Sequence, residues 1–159
     1  MASYDRRTTV DAPLEEVWAF HSSPAGLERL TPDWMNLLVE AAVGPDGERD
    51  PAVLEAGSEL SLSVRPFGIG PRQYVRSAIT ERERAGGRAY FRDELVDGPF
   101  DRWEHTHAFF ADGDRTIVRD HVVYDLPYGS LGRFATPLST VGFEATFRDR
   151  HRRTKAALE

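Results

Sequence analysis

Alternating apolar and polar positions dominate the second half of the chain and predict a series of β-strands. Glycine-containing turn signals separate the alternating runs, and connections this short favour antiparallel hairpins. Two further runs with strand character occur earlier, at residues 4–11 and 35–43. The later runs span residues 60–66, 71–83, 88–96, 101–110 and 115–126.

Segments with helical spacing predict three helices. Pro13 suits the first turn of a helix, and Leu14 and Val17 begin the apolar stripe of that helix. A second short helix is expected from Pro24 to Leu30. From Tyr128 onward the apolar spacing becomes helical again and runs into a basic segment, which suits a helix C-terminus.

The resulting order, β-α-α-β6-α, predicts an α+β fold. A seven-stranded antiparallel curved sheet would wrap around the long C-terminal helix, because a sheet with an apolar face needs a second layer. The space between sheet and helix would form a cavity of the kind in which apolar ligands bind. At this length we expect residues 1–159 to form a single domain.

Composition narrows the classes of function. The net charge of −6 argues against broad electrostatic binding to nucleic acid, and the absence of cysteine excludes disulfides and thiolate chemistry. No apolar run reaches the length of a membrane span, and no secretory leader is predicted. We therefore expect a cytoplasmic protein without integral membrane association; the sequence does not indicate its oligomeric state.

Several motifs resemble one superfamily across nearly the whole chain. These are "VDAPLEEVWAFHSSPAGLERLTPDW" (10–34), "FRDELVDGPFDRWEHTHAFF" (91–110), "TIVRDHVVYDLPYGSLG" (116–132) and "FRDRHRR" (147–153). They are similar to the START-like SRPBCC superfamily of ligand-binding and cyclase-type domains, in the branch with "GPF..W.H.H.F". The resemblance implies the helix-grip fold and a single START-like SRPBCC domain that spans residues 1–159.

The segment WEHTHAFF places two histidines on an aromatic strand face. Trp103, His105, His107 and Phe109 are two residues apart and therefore share one side of the strand. Because the large aromatic residues should face the core, the histidines are expected there too.

The neighbouring strands each direct one aspartate to the same face. Asp93 lies between Phe91 and Leu95, and Asp120 lies in the run that leads to Tyr124. A turn at Gly98-Pro99 predicts that Asp93 pairs with His105, and Leu95 with Trp103. A turn at residues 112–114 predicts that His105 pairs with Asp120, and His107 with Val118.

Three interpretations of this cluster remain open. The side chains could satisfy one another in the core, because buried carboxylates are costly without partners. They could recognise a ligand. They could also serve in catalysis or bind a metal, with a histidine as general base and an aspartate as its orienter. A spacing of about 7 Å between His105 and His107 disfavours a shared ion, so we predict no metal and no cofactor.

Other residues are weaker candidates for the site. Trp34 and Met35 follow the second short helix and are expected at the cavity mouth, and Leu138 is expected on the inner face of the last helix. Arg150 could turn inward toward a carboxylate or remain solvated, and His151 is a similar candidate. His21 is expected to be partly buried.

The leading hypothesis is the binding of an apolar or amphipathic small molecule, such as a lipid, quinone or polyketide-like compound. Its predicted contacts are Trp34, Met35, Phe91, Asp93, Trp103, His105, His107, Phe109, Asp120, Tyr124 and Leu138. An alternative is a cyclase-, dehydratase- or hydrolase-type enzyme, with His105, His107, Asp93 and Asp120 as catalytic residues. A protein-interaction module is the third hypothesis.

Overall fold

A computed structural model describes the backbone of residues 1–159 and the side chains outside residues 133–138. The order of elements follows the predicted order, and a short 3-10 turn precedes each of the second and fourth strands. The elements are β1 (Ala2–Val10), α1 (Leu14–His21), α2 (Pro24–Leu30), β2 (Leu38–Val43), β3 (Glu59–Val64), β4 (Gln73–Ala85), β5 (Arg88–Asp97), β6 (Arg102–Asp112), β7 (Arg115–Asp125) and α3 (Gly129–Leu158).

The seven strands form one antiparallel sheet in the order β1-β7-β6-β5-β4-β3-β2. Strands β3 to β7 form a meander, as their short connections predict, while β2 pairs with β3 at one edge and β1 pairs with β7 at the other. The predicted fold class is therefore confirmed. Strand β2 begins later than residue 35, because Asp33–Met35 form a 3-10 turn that ends at Asn36 in a left-handed conformation.

The pairing of the central strands confirms one predicted register and corrects the other. Asp93 lies opposite His105, as predicted. His107, and not His105, lies opposite Asp120, while His105 lies opposite Val122. The turn between β6 and β7 contains two residues and begins at Gly113, whose φ of 63° suits a tight hairpin. Moving the turn centre by one residue shifts every cross-strand partner by two.

Two apolar clusters cover the inner face of the sheet, and polar residues lie between them. Along β6, Trp103 packs with the second cluster and Phe109 belongs to the first, with His105 and His107 in between. The first cluster includes Val10, Val17, Trp18, Phe91, Phe109 and Val118. The second cluster includes Tyr4, Val122, Tyr124 and Phe147. We call Asp93, His105, His107, Asp120 and His151 the polar layer.

Helix α3 lies across this inner face. Phe147 is buried in the second cluster, where its ring stacks on Tyr4 at a centroid distance of 5.3 Å. His151 and Thr154 are also buried, so the buried face of α3 extends through the turns that follow Phe147 toward the C-terminal end of the helix. Among the described residues, no helix has both the length and the apolar character that crossing a bilayer requires.

Two glycines in α3 differ in the space beside them, because the first turn of the helix packs against the connection that follows β7. A Cβ at Gly132 would lie 2.3 Å from the Pro127 carbonyl oxygen, whereas a Cβ at Gly142 would meet nothing within 4 Å. Gly132→Ala should therefore destabilise the protein, whereas Gly142→Ala should stabilise it by up to about 1 kcal/mol through helix propensity. Urea unfolding of both variants measures the difference. Equal effects of the two substitutions would contradict this packing.

Candidate functional site

A cavity of about 380 Å³ lies between the sheet and α3. This volume is within the range of small-molecule sites. Apolar side chains from β3, β4 and α3 make up much of the wall, while β5 and β6 contribute Asp93, His105 and His107. The apolar lining includes Leu60, Leu62, Val75, Ile79, Phe143 and Phe147.

The histidines and aspartates of adjacent strands bond diagonally. His105 lies opposite Asp93 in the ladder, but its Nε2 donates to Oδ1 of Asp120 at 2.8 Å. His107 lies opposite Asp120, but its Nε2 donates to Oδ2 of Asp93 at 2.9 Å. Diagonal neighbours are within reach of long side chains in an antiparallel sheet. The crossing brings the two imidazole rings to a centroid distance of 3.6 Å.

Asp120 is the centre of the polar layer. Its second oxygen, Oδ2, accepts a hydrogen bond of 2.5 Å from Nε2 of His151 on α3. Because an ionised carboxylate only accepts, the bonded Nε2 atoms of His105 and His151 must carry protons. This carboxylate, which is 4% exposed, therefore joins β6, β7 and the last helix.

The two carboxylates and the two strand histidines shift one another's pKa. Burial raises the pKa of Asp120 and Asp93, but hydrogen bonds and attraction from the histidines outweigh burial and lower both, that of Asp120 well below its usual range. Burial and the neighbouring His107 lower the pKa of His105. For His107, the attraction of Asp120 and Asp93 exceeds the effect of burial and raises the pKa. A proton added to the histidine pair therefore resides on His107.

Aromatic contacts fix the orientation of these imidazoles. Phe91 stacks on His107 with a centroid distance of 4.1 Å and an interplanar angle of 16°. Trp103 packs edge-on against His105 at 6.0 Å. Nδ1 of His107 is buried and has no hydrogen-bond partner among the described residues, although Asp120 Oδ1 lies 3.3 Å away in poor alignment. The rings thus combine a polar edge toward the carboxylates with an apolar face.

Helix α3 contributes two functional candidates that the sequence ranked below the strand residues. His151 joins Asp120 directly, as described above. Arg150 turns inward and lines the cavity, one turn after Phe147 and Thr146. The signal for both residues is their position on the apolar stripe of the helix, continued past Phe147 into the basic segment.

His21 is partly buried, as the sequence predicted, and it also lines the cavity. Its Nδ1 donates to the Val17 carbonyl at 2.8 Å, and its ring lies 4.9 Å from that of Phe109. Burial lowers the pKa of His21 to about 3, so the ring is neutral near pH 7.

Many of the predicted ligand contacts lie on the cavity wall, where their role in binding stays a prediction. The predicted residues on the wall are Met35, Phe91, Asp93, Trp103, His105 and His107.

Four predicted contacts lie outside the wall. Seen from the cavity, Asp120 lies behind the two strand histidines and does not reach the wall. Trp34 is not on the wall either, and its ring stacks on that of Phe67 at a centroid distance of 4.9 Å. Phe109 is fully buried under α1, and Tyr124 is fully buried under α3. Strand alternation gives the inward direction of a side chain but not the element that covers it. The side chain of Leu138 lies outside the described residues.

Asp93, His105 and His107 have the donor types of a divalent metal site. One ligand atom from each residue lies within 4.8 Å of the others, closer than the strand spacing predicts because the rings converge. Two imidazoles and one carboxylate suit several transition metals. A metal would have to replace the hydrogen bond of 2.9 Å between His107 and Asp93.

The fold and the cavity define a helix-grip protein of the ligand-binding type. The chain matches the family "Polyketide cyclase / dehydrase and lipid transport" over residues 1–159, and it belongs to that family. No curated protein sequence matches the chain significantly.

Solved structures share the fold at low sequence identity. A protein from Thermus thermophilus is 20% identical with a TM-score of 0.65, and the match covers 98% of this chain and 99% of that one. Norcoclaurine synthase from Thalictrum flavum, in complex with dopamine and hydroxybenzaldehyde, is 16% identical with a TM-score of 0.66 (98% and 86% covered). A START superfamily protein from Mycobacterium smegmatis is 15% identical with a TM-score of 0.60 (98% and 96% covered).

Replacing the central carboxylate should change the titration of the histidines. Asp120→Asn removes a negative charge beside His107, so the pKa of His107 should fall. Imidazole resonances followed by NMR against pH measure this change. Asp5→Asn is the matched control, because Asp5 is bonded to Arg119 on the outer surface. A His107 titration that is the same in wild type and Asp120→Asn would contradict the assigned role of Asp120.

Neutral burial of His21 should make stability depend on pH. In the unfolded chain His21 has a pKa near 6.5 and is protonated below that pH. In the folded protein it stays neutral down to about pH 3. Stability contributed by His21 is therefore lost as pH falls below 6.5, at about 1.4 kcal/mol per pH unit. In His21→Phe and His21→Leu, this contribution to the pH dependence of the unfolding free energy should be absent. Urea unfolding near pH 5, about one and a half units below the unfolded pKa, measures it. If the unfolding free energy of both variants depends on pH as that of the wild type does, the pKa of His21 is similar in the folded and unfolded states, and the prediction is wrong.

Proposed function

We propose that the protein binds an apolar or amphipathic small molecule in the cavity between the sheet and α3. The observation that carries the proposal is the cavity itself, with about 380 Å³ of space and a largely aliphatic and aromatic wall. A mostly apolar cavity with a few convergent polar groups is the usual form of a small-molecule site. Lipids, quinones and polyketide-like compounds have this combination of properties.

The strand histidines of the polar layer use most of their ring nitrogens within the layer. A general base needs a free nitrogen within reach of its substrate. The Nε2 atoms of His105 and His107 are already bonded to carboxylates, and Nδ1 of His107 is buried. The other nitrogen of His105 lies 3.7 Å from Asp93. Nδ1 of His105 is thus the strand-histidine nitrogen on which a catalytic alternative would depend, and the proposal of binding stands on the cavity and its apolar wall.

A bulky side chain inside the cavity should prevent binding. Val75 lies on the wall, paired with Leu62 on β3, while Arg76 next to it is exposed on the opposite face of β4. Nile red, a neutral apolar dye, should bind the wild type, and Val75→Trp should weaken its binding by about tenfold or more. Arg76→Trp, the matched control, should bind as the wild type does.

Fluorescence titration gives these affinities, and thermal unfolding checks that both variants fold. The proposal fails if the wild type does not bind Nile red, or if both tryptophan variants bind it with unchanged affinity.

A further inference from the structure

Arg150 is the one permanently charged cation on the cavity wall, among the residues whose side chains the structure describes. It belongs to a helical stripe with Phe143, Thr146 and Phe147, all of which line the same cavity. Spacings of three, four and seven residues place these four side chains on one face of α3. The guanidinium group is therefore held toward the cavity by the packing of the whole helix.

The guanidinium has no direct acceptor. Arg150 forms neither a side-chain hydrogen bond nor an ion pair with any described residue; its nearest aromatic contact is Phe147, whose ring centroid lies 5.7 Å from Cζ. Burial lowers the pKa of Arg150, yet an arginine remains charged at any physiological pH. A charge withdrawn from water and left unpaired is costly, so this position favours an anionic partner.

The nearby carboxylates do not provide that partner. Asp93 accepts from His107, and both oxygens of Asp120 accept from histidines. These two aspartates attract Arg150 through space but do not form a direct bond with it. Each carboxylate thus has a histidine partner and neither lies within ion-pair distance of Arg150, so the donors of the guanidinium are left for a molecule in the cavity.

We infer that the ligand is an amphipathic carboxylic acid, whose carboxylate binds Arg150 and whose hydrocarbon part lies against the aliphatic wall. This inference rests on the proposed function and names the chemical class of the ligand. The planar guanidinium fork matches a carboxylate with two parallel hydrogen bonds, which an alcohol or an ester cannot form. The apolar side chains of β3 and β4 provide the surface for the hydrocarbon part.

Displacement of Nile red by decanoate, methyl decanoate and decanol tests this head group directly. The three probes share one chain and differ in charge and hydrogen-bonding capacity, and at about pH 8 the acid is fully ionised. In the wild type, decanoate should bind about tenfold to a hundredfold more tightly than decanol, as expected for hydrogen bonds between charged groups. Methyl decanoate should bind as decanol does.

Two arginine variants on the same helix separate recognition from packing. Arg150→Met should remove the preference for decanoate and leave the affinity for decanol within about threefold of the wild type. Arg148→Met is the matched control, because Arg148 is exposed on the outer side of α3. It should retain the full preference for the acid.

Several outcomes would overturn the inference. Equal binding of acid and alcohol to the wild type would do so even if Arg150→Met failed to fold. Equal weakening of all three probes by Arg150→Met would assign the arginine to packing alone. Nile red binding that none of the three probes displaces would also overturn the inference and leave the proposed function standing, whereas no Nile red binding at all would remove the proposed function.

Discussion

The carboxylate of Asp120 is buried in the centre of the inner face, and the arrangement around it follows from the need to satisfy it. A buried charge is tolerated only with partners, and Asp120 has His105 at 2.8 Å and His151 at 2.5 Å. One partner is on the neighbouring strand and the other is on α3, so the same group fixes the sheet face and the position of the helix. Asp93 and His107 complete the pairing, so each carboxylate of the polar layer has at least one histidine partner.

This constraint also shapes the cavity. The polar layer lies between two apolar clusters, and the cavity wall takes residues from the layer and from both clusters. Because the aspartates pair with histidines, Arg150 reaches the cavity without a direct counter-ion among the described side chains. Within the part of the chain whose side chains the structure describes, the outcome is a largely apolar cavity with one guanidinium that has no ion-pair partner, a combination suited to an amphipathic anion. Family membership agrees with a ligand-binding fold.

The sequence predicted the elements better than it predicted the site. Period-two alternation identified the strands, and the position of the Asp93 side chain opposite His105 followed from the hairpin at Gly98-Pro99. The register at Asp120 was two residues off, because the two-residue turn that begins at Gly113 could not be distinguished from a longer one. The diagonal bonds depend on the side-chain rotamers of β5, β6 and β7, which alternation does not specify. The apolar stripe places His151 and Arg150 on the inner face of α3, but their partners depend on how the helix docks.

The protonated nitrogens of the imidazole rings show whether Asp120 holds the polar layer and α3 together. Long-range ¹H–¹⁵N NMR distinguishes the two tautomers of each neutral histidine. The bonds around Asp120 require His105 and His151 both to carry the proton on Nε2, where each donates to Asp120. A proton on Nδ1 with a bare Nε2 at either histidine would contradict the arrangement around Asp120, and with it the reason that Arg150 is left for a ligand.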